Sequence, residues 1–187
     1  MRLCVSHRAV LVGFWLNLES ELVYVGDAGT VEAQGGSRRL GFEASVFWQM
    51  NAWSDIFVNY SLTHARFRSE SEDRIPNAVP SILSAGLKVE PLPGVTSNLI
   101  LRHVGPAPLI EDGSVTSNAT TTLNWGGFFE RGRTRFGIEI LNFLNSRASD
   151  ISYFFESRLK NERTPVADVH AHPLVPRQFR ASIGLVF

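Results

Sequence analysis

The stretch Arg39–Gln49, RLGFEASVFWQ, decides the fold. Every second residue is apolar: Leu40, Phe42, Ala44, Val46 and Trp48. Between them stand Arg39, Gly41, Glu43, Ser45, Phe47 and Gln49. A period of two places the first set on one face of a strand and the second on the other. The same alternation returns in Asp55–Arg66, Ser81–Val89, Arg133–Asn142 and Gln178–Phe187. It is less clean in Phe14–Val25, Ser97–Val104 and Ala119–Phe129, where Asn124-Trp125-Gly126-Gly127 leaves the register open. Helical periods are scarce, so the sequence predicts an all-β chain of about eight strands.

Alternation of this kind suits a sandwich or a barrel. The connections separate them. Short turns are expected at Met50–Ser54, Glu90–Gly94 and Glu130–Gly132, and long ones at Gly26–Arg38, Ser69–Pro80, Gly105–Asn118 and Leu144–Val175. Short and long take turns strictly. An up-and-down antiparallel meander then puts all short turns at one rim and all long loops at the other, which is the outer-membrane barrel arrangement. A Greek-key sandwich has no reason to sort its loops so. Aromatic residues near the inferred strand ends (Trp15, Tyr24, Trp48, Trp53, Phe129 and Phe187) fit a girdle at a water–lipid boundary.

Composition agrees. The 187 residues carry 18 Lys+Arg against 18 Asp+Glu, and a net charge of zero excludes a nucleic-acid partner held by bulk positive charge. An apolar share of 44% argues against disorder. Cys4 is the sole cysteine, which excludes an internal disulfide. No apolar run reaches the length of a membrane helix. The opening MRLCVSHRAVLVGFWLNL has the outline of a signal peptide but no small-x-small cleavage site follows it. We read Met1 as entering a larger protein partway, with residues 1–13 poorly defined and the strand pattern clear from residue 14.

Five segments in order resemble the last third of the barrel of TonB-dependent outer-membrane receptors. They are NLESELVYVGDAGT with GGSRRLGFE across Leu16–Arg39 and beyond, IPNAVP at Ile75–Pro80, and FGIEILNFLN at Phe136–Asn145. The others are DISYFFESRL and HAHPLVPR as a final external loop, and the closing RQFRASIGLVF with its terminal aromatic. The resemblance implies a transmembrane meander that is part of a larger barrel of the 22-strand type, with residues 14–187 as its C-terminal portion. It implies active uptake of iron–siderophore, cobalamin, haem or similar ligands, in the bacterial cell outer membrane, through a plug that contacts TonB. These residues contain no such plug, so the chain reads as a truncated or split receptor. Its expected partners are outer-membrane lipid, the barrel-assembly machinery and further strands from another chain. Phe179, Ile183, Leu185 and Phe187 form the stripe that the resemblance assigns to barrel-assembly recognition. A self-contained eight-strand structural or adhesive barrel, its middle plugged by Arg39, Glu43, Arg135, Glu139 and Arg180, remains an alternative, with a soluble lipocalin-type barrel behind it.

Catalytic and metal chemistry find little support. No G-x-S-x-G context surrounds any serine, so His64 and His103 have no evident triad. His170 and His172 offer two imidazoles without a third ligand. Glu19 with Glu21, and Glu70 with Glu72 and Asp73, read as solvated carboxylates. The glycines of Gly26–Gly29 and Gly35-Gly36 read as turn residues, with no phosphate cradle. The sequence therefore predicts no enzyme, no cofactor and no metal site, and leaves the ligand-binding residues unassigned.

Overall fold

The computed structural model describes residues 6–25, 30–68 and 73–185. Cys4, Gly26–Gly29, Glu70, Glu72 and Phe187 lie outside them. The described chain is all β, with twelve strands: β1 Ser6–Leu18, β2 Glu21–Val25, β3 Thr30–Gln34, β4 Ser37–Asn51, β5 Ser54–Phe67, β6 Ser81–Leu92, β7 Val95–Val104, β8 Thr120–Arg131, β9 Thr134–Leu141, β10 Ser149–Ser157, β11 Val166–Pro173 and β12 Gln178–Leu185. Eight of them form one antiparallel sheet in the order β1-β4-β5-β6-β7-β8-β9-β12. The other four form two hairpins, β2–β3 and β10–β11, inside the long connections. Within the sheet, β1, β4, β5, β6, β7 and β8 each run ten residues or more, the length a tilted strand needs to cross hydrocarbon.

The register carries the apolar stripe from strand to strand. Leu11, Ala44, Tyr60, Leu83 and His103 stand side by side, as do Val46, Val58, Ala85, Leu101 and Leu123. Trp125, Ile140 and Phe179 extend the face to the far edge. We call this face outward. Among the described residues nothing covers it: Leu11 is 75% exposed, Phe179 73% and Ile183 69%. The buried apolar residues sit elsewhere, at the long-loop rim, where Val23 of β2 packs with Phe67 and Ile75. A soluble sandwich would bury its stripes between sheets; this sheet leaves them to another apolar phase.

The loops sort as the sequence indicates. β4–β5, β6–β7 and β8–β9 are tight turns at one rim, with Gly94 and Gly132 at positive φ. The β1–β4, β5–β6, β7–β8 and β9–β12 connections share the opposite rim. Two expectations need correction. The strand placed at Phe14–Val25 is broken at Glu19-Ser20: β1 begins at Ser6, and β2 belongs to a separate hairpin. The cause lies in Ala9–Leu16, where both faces are apolar, Val10, Val12, Phe14 and Leu16 inward and Ala9, Leu11 and Trp15 outward. Continuous greasiness hid the period of two and imitated a signal-peptide core. Tyr24 accordingly lies on β2 rather than at the end of a sheet strand. The long Leu144–Val175 connection likewise holds the β10–β11 hairpin.

Ser97, Leu99 and Leu101 of β7 face Gly127, Trp125 and Leu123 of β8. This settles the Asn124–Gly127 register: Trp125 points outward and donates its indole N–H to Ser97 Oγ at 3.0 Å.

Candidate functional site

The inward face carries the sheet's carboxylates, and three of its glycines are covered. Phe14 lies over Gly41, Phe57 over Gly86 and Phe128 over Gly137, so each missing Cβ is filled by a ring from the neighbouring strand. A Cβ at Gly86 would overlap the Phe57 ring. Valine there is expected to cost about 1–3 kcal/mol through overpacking. Denaturant midpoints of Gly86→Val, with Phe57→Ala and the double variant, check this. The double variant should lie closer to Phe57→Ala than additivity allows.

Charges on this face pair along the wall. Arg180 Nη1 lies 3.4 Å from Glu139, Arg135 Nε 3.4 Å from Glu130, and Lys88 Nζ 2.6 Å from Glu90. Arg135 also covers the Phe128 ring, 4.4 Å from its centroid. Arg39 reaches Glu21 of β2, which draws the first hairpin over the inward side of the rim. These partners lie on the same strand (Lys88 and Glu90 of β6), on a neighbouring strand, or, for Arg39, on the first hairpin, and do not form a charge network filling the middle. Glu43 and Arg102 are exposed on the same face, Arg102 beside Ser84 and Thr122.

The long loops are bound to one another into a continuous rim. Asn77 N–H donates to Pro108 O at 2.8 Å and Arg74 N–H to Glu111 O at 2.7 Å, joining the β5–β6 and β7–β8 loops. Thr120 Oγ1 donates to Ser149 O at 2.8 Å, joining the last strands to β10. Within IPNAVP, Ile75 is buried and Asn77 takes a positive φ, so the motif is a folded corner of the rim. In the β7–β8 loop Ser114 N–H donates to Asp112 Oδ1, which holds that carboxyl below the usual carboxylate range.

Asn142 is the principal latch. It is 5% exposed, has φ 49°, and follows the last residue of β9. Its Nδ2 donates to Ser146 O at 3.1 Å and Val175 O at 3.0 Å; its Oδ1 accepts from Ser146 N–H at 2.9 Å. Its own N–H donates to Asn124 Oδ1 of β8. Asn145, also at positive φ, accepts from Arg177 N–H. FGIEILNFLN is thus a strand end plus an asparagine clamp that holds both feet of the β10–β11 segment. Beside it opens a cavity of about 460 Å³, lined by Arg147, Ala148, Ala171, Pro173, Leu174 and Pro176. A smaller recess of about 190 Å³ lies between Asn77, Gly105, Asn118 and Asp150. Both have mixed walls: Ala148, Ala171, Pro173, Leu174 and Pro176 beside Asn145, Ser146 and Arg147 in the larger, and Val79, Val104 and Ile151 beside Asn77, Asn118 and Asp150 in the smaller.

His170 stacks on Phe155, ring centroids 3.7 Å apart. Its Nδ1 lies 3.0 Å from Asp168 O, so Nδ1 carries the proton and Nε2 accepts from Ser157 Oγ at 2.8 Å. His172 stands one step along the same hairpin face, opposite Ile151. Among the described residues no group of three His, Cys, Asp or Glu is placed to hold a metal ion. His64 and His103 both fall on the outward face, bonded to Arg66 and Thr121. Glu19 is exposed at the bend after β1. Phe179, Ile183 and Leu185 line the outward face of β12, opposite Ile140, Phe136 and Thr134.

The Asn142 clamp and the two hairpins escaped the sequence reading. The β10–β11 hairpin had a signal: a connection of thirty-odd residues inside a compact domain usually carries structure of its own.

No protein-family model matches the sequence, and no curated protein matches it. Solved structures do. The copper transporter OprC matches with TM-score 0.73 at 12% identity, over 97% of this chain and 28% of that one. The ferric yersiniabactin uptake receptor FyuA from Yersinia pestis matches with TM-score 0.71 at 16% identity, over 98% of this chain and 28% of that one. The ferric-catecholate import receptor Fiu from E. coli K12, in its closed form, gives 0.70 at 16%, over 97% and 25%. The chain spans about a quarter of the length of these structures. Its fold is that of a stretch of barrel wall in TonB-dependent receptors, so the resemblance read from the five motifs holds at the level of fold.

Proposed function

We propose that these residues form the last strands and external loops of a receptor that imports a scarce ligand across the bacterial outer membrane, with the rest of its wall supplied by further strands. The observation that carries this reading is the uncovered outward face on a sheet whose loops are sorted by length. Its likeness to siderophore and copper import proteins adds the transport role. In this reading the two cavities at the long-loop rim contribute contacts to an incoming metal chelate, and energy arrives from TonB through a plug. The open edges of β1 and β12 favour a larger wall over the self-contained barrel: among the described residues each pairs on one side only, and lipid does not satisfy exposed strand edges.

Uptake measurements test the role. Cells lacking the gene, given radiolabelled ferric siderophores, copper or cobalamin, should lose accumulation of one class, and cells depleted of TonB should lose the same class. Unchanged uptake of every ligand would end the importer reading.

The stripe of Phe179, Ile183, Leu185 and Phe187 serves, in our reading, as the edge that the assembly machinery pairs with. Deleting Phe187 should lower the amount recovered in outer-membrane fractions several-fold, with synthesis unchanged; equal recovery removes the recognition role.

A further inference from the structure

We propose that the cavity of about 460 Å³ at the feet of the β10–β11 hairpin binds a small molecule with a free carboxylate on an apolar body, and that Arg147 is the counter-charge. Arg147 lines this cavity and is exposed. Among the described residues its guanidinium has neither a carboxylate partner nor a hydrogen bond. A guanidinium presents a planar fork of donors that matches the two oxygens of a carboxylate. In a recess the low-dielectric walls strengthen that attraction beyond what open solvent allows. Asn145, Ser146 and Ser149 add polar groups, while Pro173, Leu174 and Pro176 add apolar wall. A few convergent polar groups on apolar walls, in a volume of about 300–1,000 Å³, are the make-up of a small-molecule site.

Charge divides the two recesses of this rim. Among the described residues no Asp or Glu lines the larger one, whereas Asp150 lines the smaller, and Ser149 stands in both walls. Asp150 is the acid closest to Arg147 in the chain. The β10–β11 ladder slips between Ser149 and Ile151, which leaves Asp150 without a partner opposite and sets it against the smaller recess. The other acids of the hairpin lie toward its tip: Glu156 stands opposite Ala167, Asp168 opposite Phe155, and Glu162 accepts from Leu159 N–H. A second guanidinium, Arg177, follows Pro176 and stands 6.0 Å from the Phe143 ring centroid. Asp27, Glu70 and Glu72 belong to other connections and lie outside the described residues. The walls are in place before a ligand arrives. Asn142 ties Ser146 to Val175, Leu174 N–H donates to Ala148 O at 2.9 Å, and Thr120 Oγ1 holds Ser149 O at 2.8 Å. Pro173 and Pro176 fix φ on the far side. A site ordered in advance loses less entropy when it binds.

The inference rests on the proposed function for the external placement of this rim and adds the class of ligand: anionic, with an ionised carboxylate. Its test takes the full chain in neutral alkyl-maltoside micelles, with β structure followed by circular dichroism. N-acetylphenylalanine at neutral pH, its uncharged amide and acetate are titrated in turn and read by saturation-transfer NMR, with empty micelles as the blank. The acid should bind about tenfold tighter than either of the others. Arg147→Gln should bring the preference of acid over amide down to about twofold or less, and Arg147→Lys should keep a few-fold of it. Arg163→Gln, in the β10–β11 loop, should leave it intact. Glu70→Gln with Glu72→Gln should also leave it intact; a gain in affinity there means that Arg147 is already neutralised and overturns the proposal. Equal binding of acid and amide overturns it, as does a preference that survives Arg147→Gln. Acetate binding as tightly as the acid means a bare guanidinium without a cavity site and overturns it too. A chain with its β spectrum intact but no preference for the acid sinks this proposal alone, because the importer reading is decided by uptake in cells.

Discussion

Leu99→Arg should destabilise the inserted sheet by about 2–4 kcal/mol, whereas Ile100→Arg should cost under about 1 kcal/mol. The two residues are neighbours near the middle of β7, so strand propensity and depth are nearly the same for both. They differ in face. Leu99 stands between Leu87 and Trp125 on the outward side. Ile100 stands between Gly86 and Asn124 on the inward side. A guanidinium at Leu99 enters hydrocarbon with no acid on that face to meet it, and a charge without a partner in a low-dielectric phase carries its full desolvation penalty. At Ile100 it enters a polar surface that already holds Arg102, two residues along. Urea-dependent unfolding from neutral vesicles, followed by Trp fluorescence, reads the difference, which amounts to about fivefold or more in the folding equilibrium. Similar midpoints for the two variants would reverse the assignment of faces, and an uncovered apolar stripe would need another explanation.

How much of this was legible in the sequence depends on how cleanly each strand divides its faces. β4 and β5 alternate without interruption, and their bounds were read to within a few residues. β1 is apolar on both sides, so periodicity carried no information there, and its start was set eight residues late. β8 holds two adjacent glycines, which have no side chain to signal a face; its pairing with β7 and β9 fixes the register, and the bond from Trp125 to Ser97 lies on the outward face that pairing sets. Nor does a sequence say that Phe14, Phe57 and Phe128 lie across the inward Gly41, Gly86 and Gly137. That is a cross-strand relation, set by pairing. The pairing of Arg38 with Arg66 is the same kind of fact: they lie 28 residues apart in the chain, and only the β4–β5 register brings them abreast. The loop hairpins and the Asn142 latch were hidden for a further reason: long connections were read by length alone, while their order comes from single side chains bonding to backbone.

The latch gives the second large effect. Asn142→Ala removes two N–H donors from the carbonyls of Ser146 and Val175 and one acceptor from the Ser146 amide. It also leaves a Cβ-bearing residue without Asn's local bonding at φ 49°. Each net bond contributes about 1 kcal/mol, and the left-handed conformation costs alanine about 1–2 kcal/mol. The expected loss is about 4 kcal/mol, felt locally, since β9 and β12 keep their own ladder. Three companion variants separate the causes. Asn142→Gly restores the backbone freedom without the bonds and should recover about 1 kcal/mol of the loss. Asn142→Asp keeps the acceptor for Ser146 but aims a charged oxygen at two carbonyls, so it should be at least as damaging as alanine. Asn145→Ala loses the bond from Arg177 and should have a milder effect. Hydrogen exchange at the Ser146 and Leu174 amides, with limited proteolysis between Asn145 and Ser149, follows the release. If the feet of β10–β11 stay protected in Asn142→Ala, the hairpin is held by its contacts to Thr120 and Ala148, and the latch is redundant. If they open while the sheet still resists denaturant, the outermost loop is a separately ordered unit hinged on one asparagine. The cavity beside Arg147 and Pro176 would then change shape without any change in the wall that carries it.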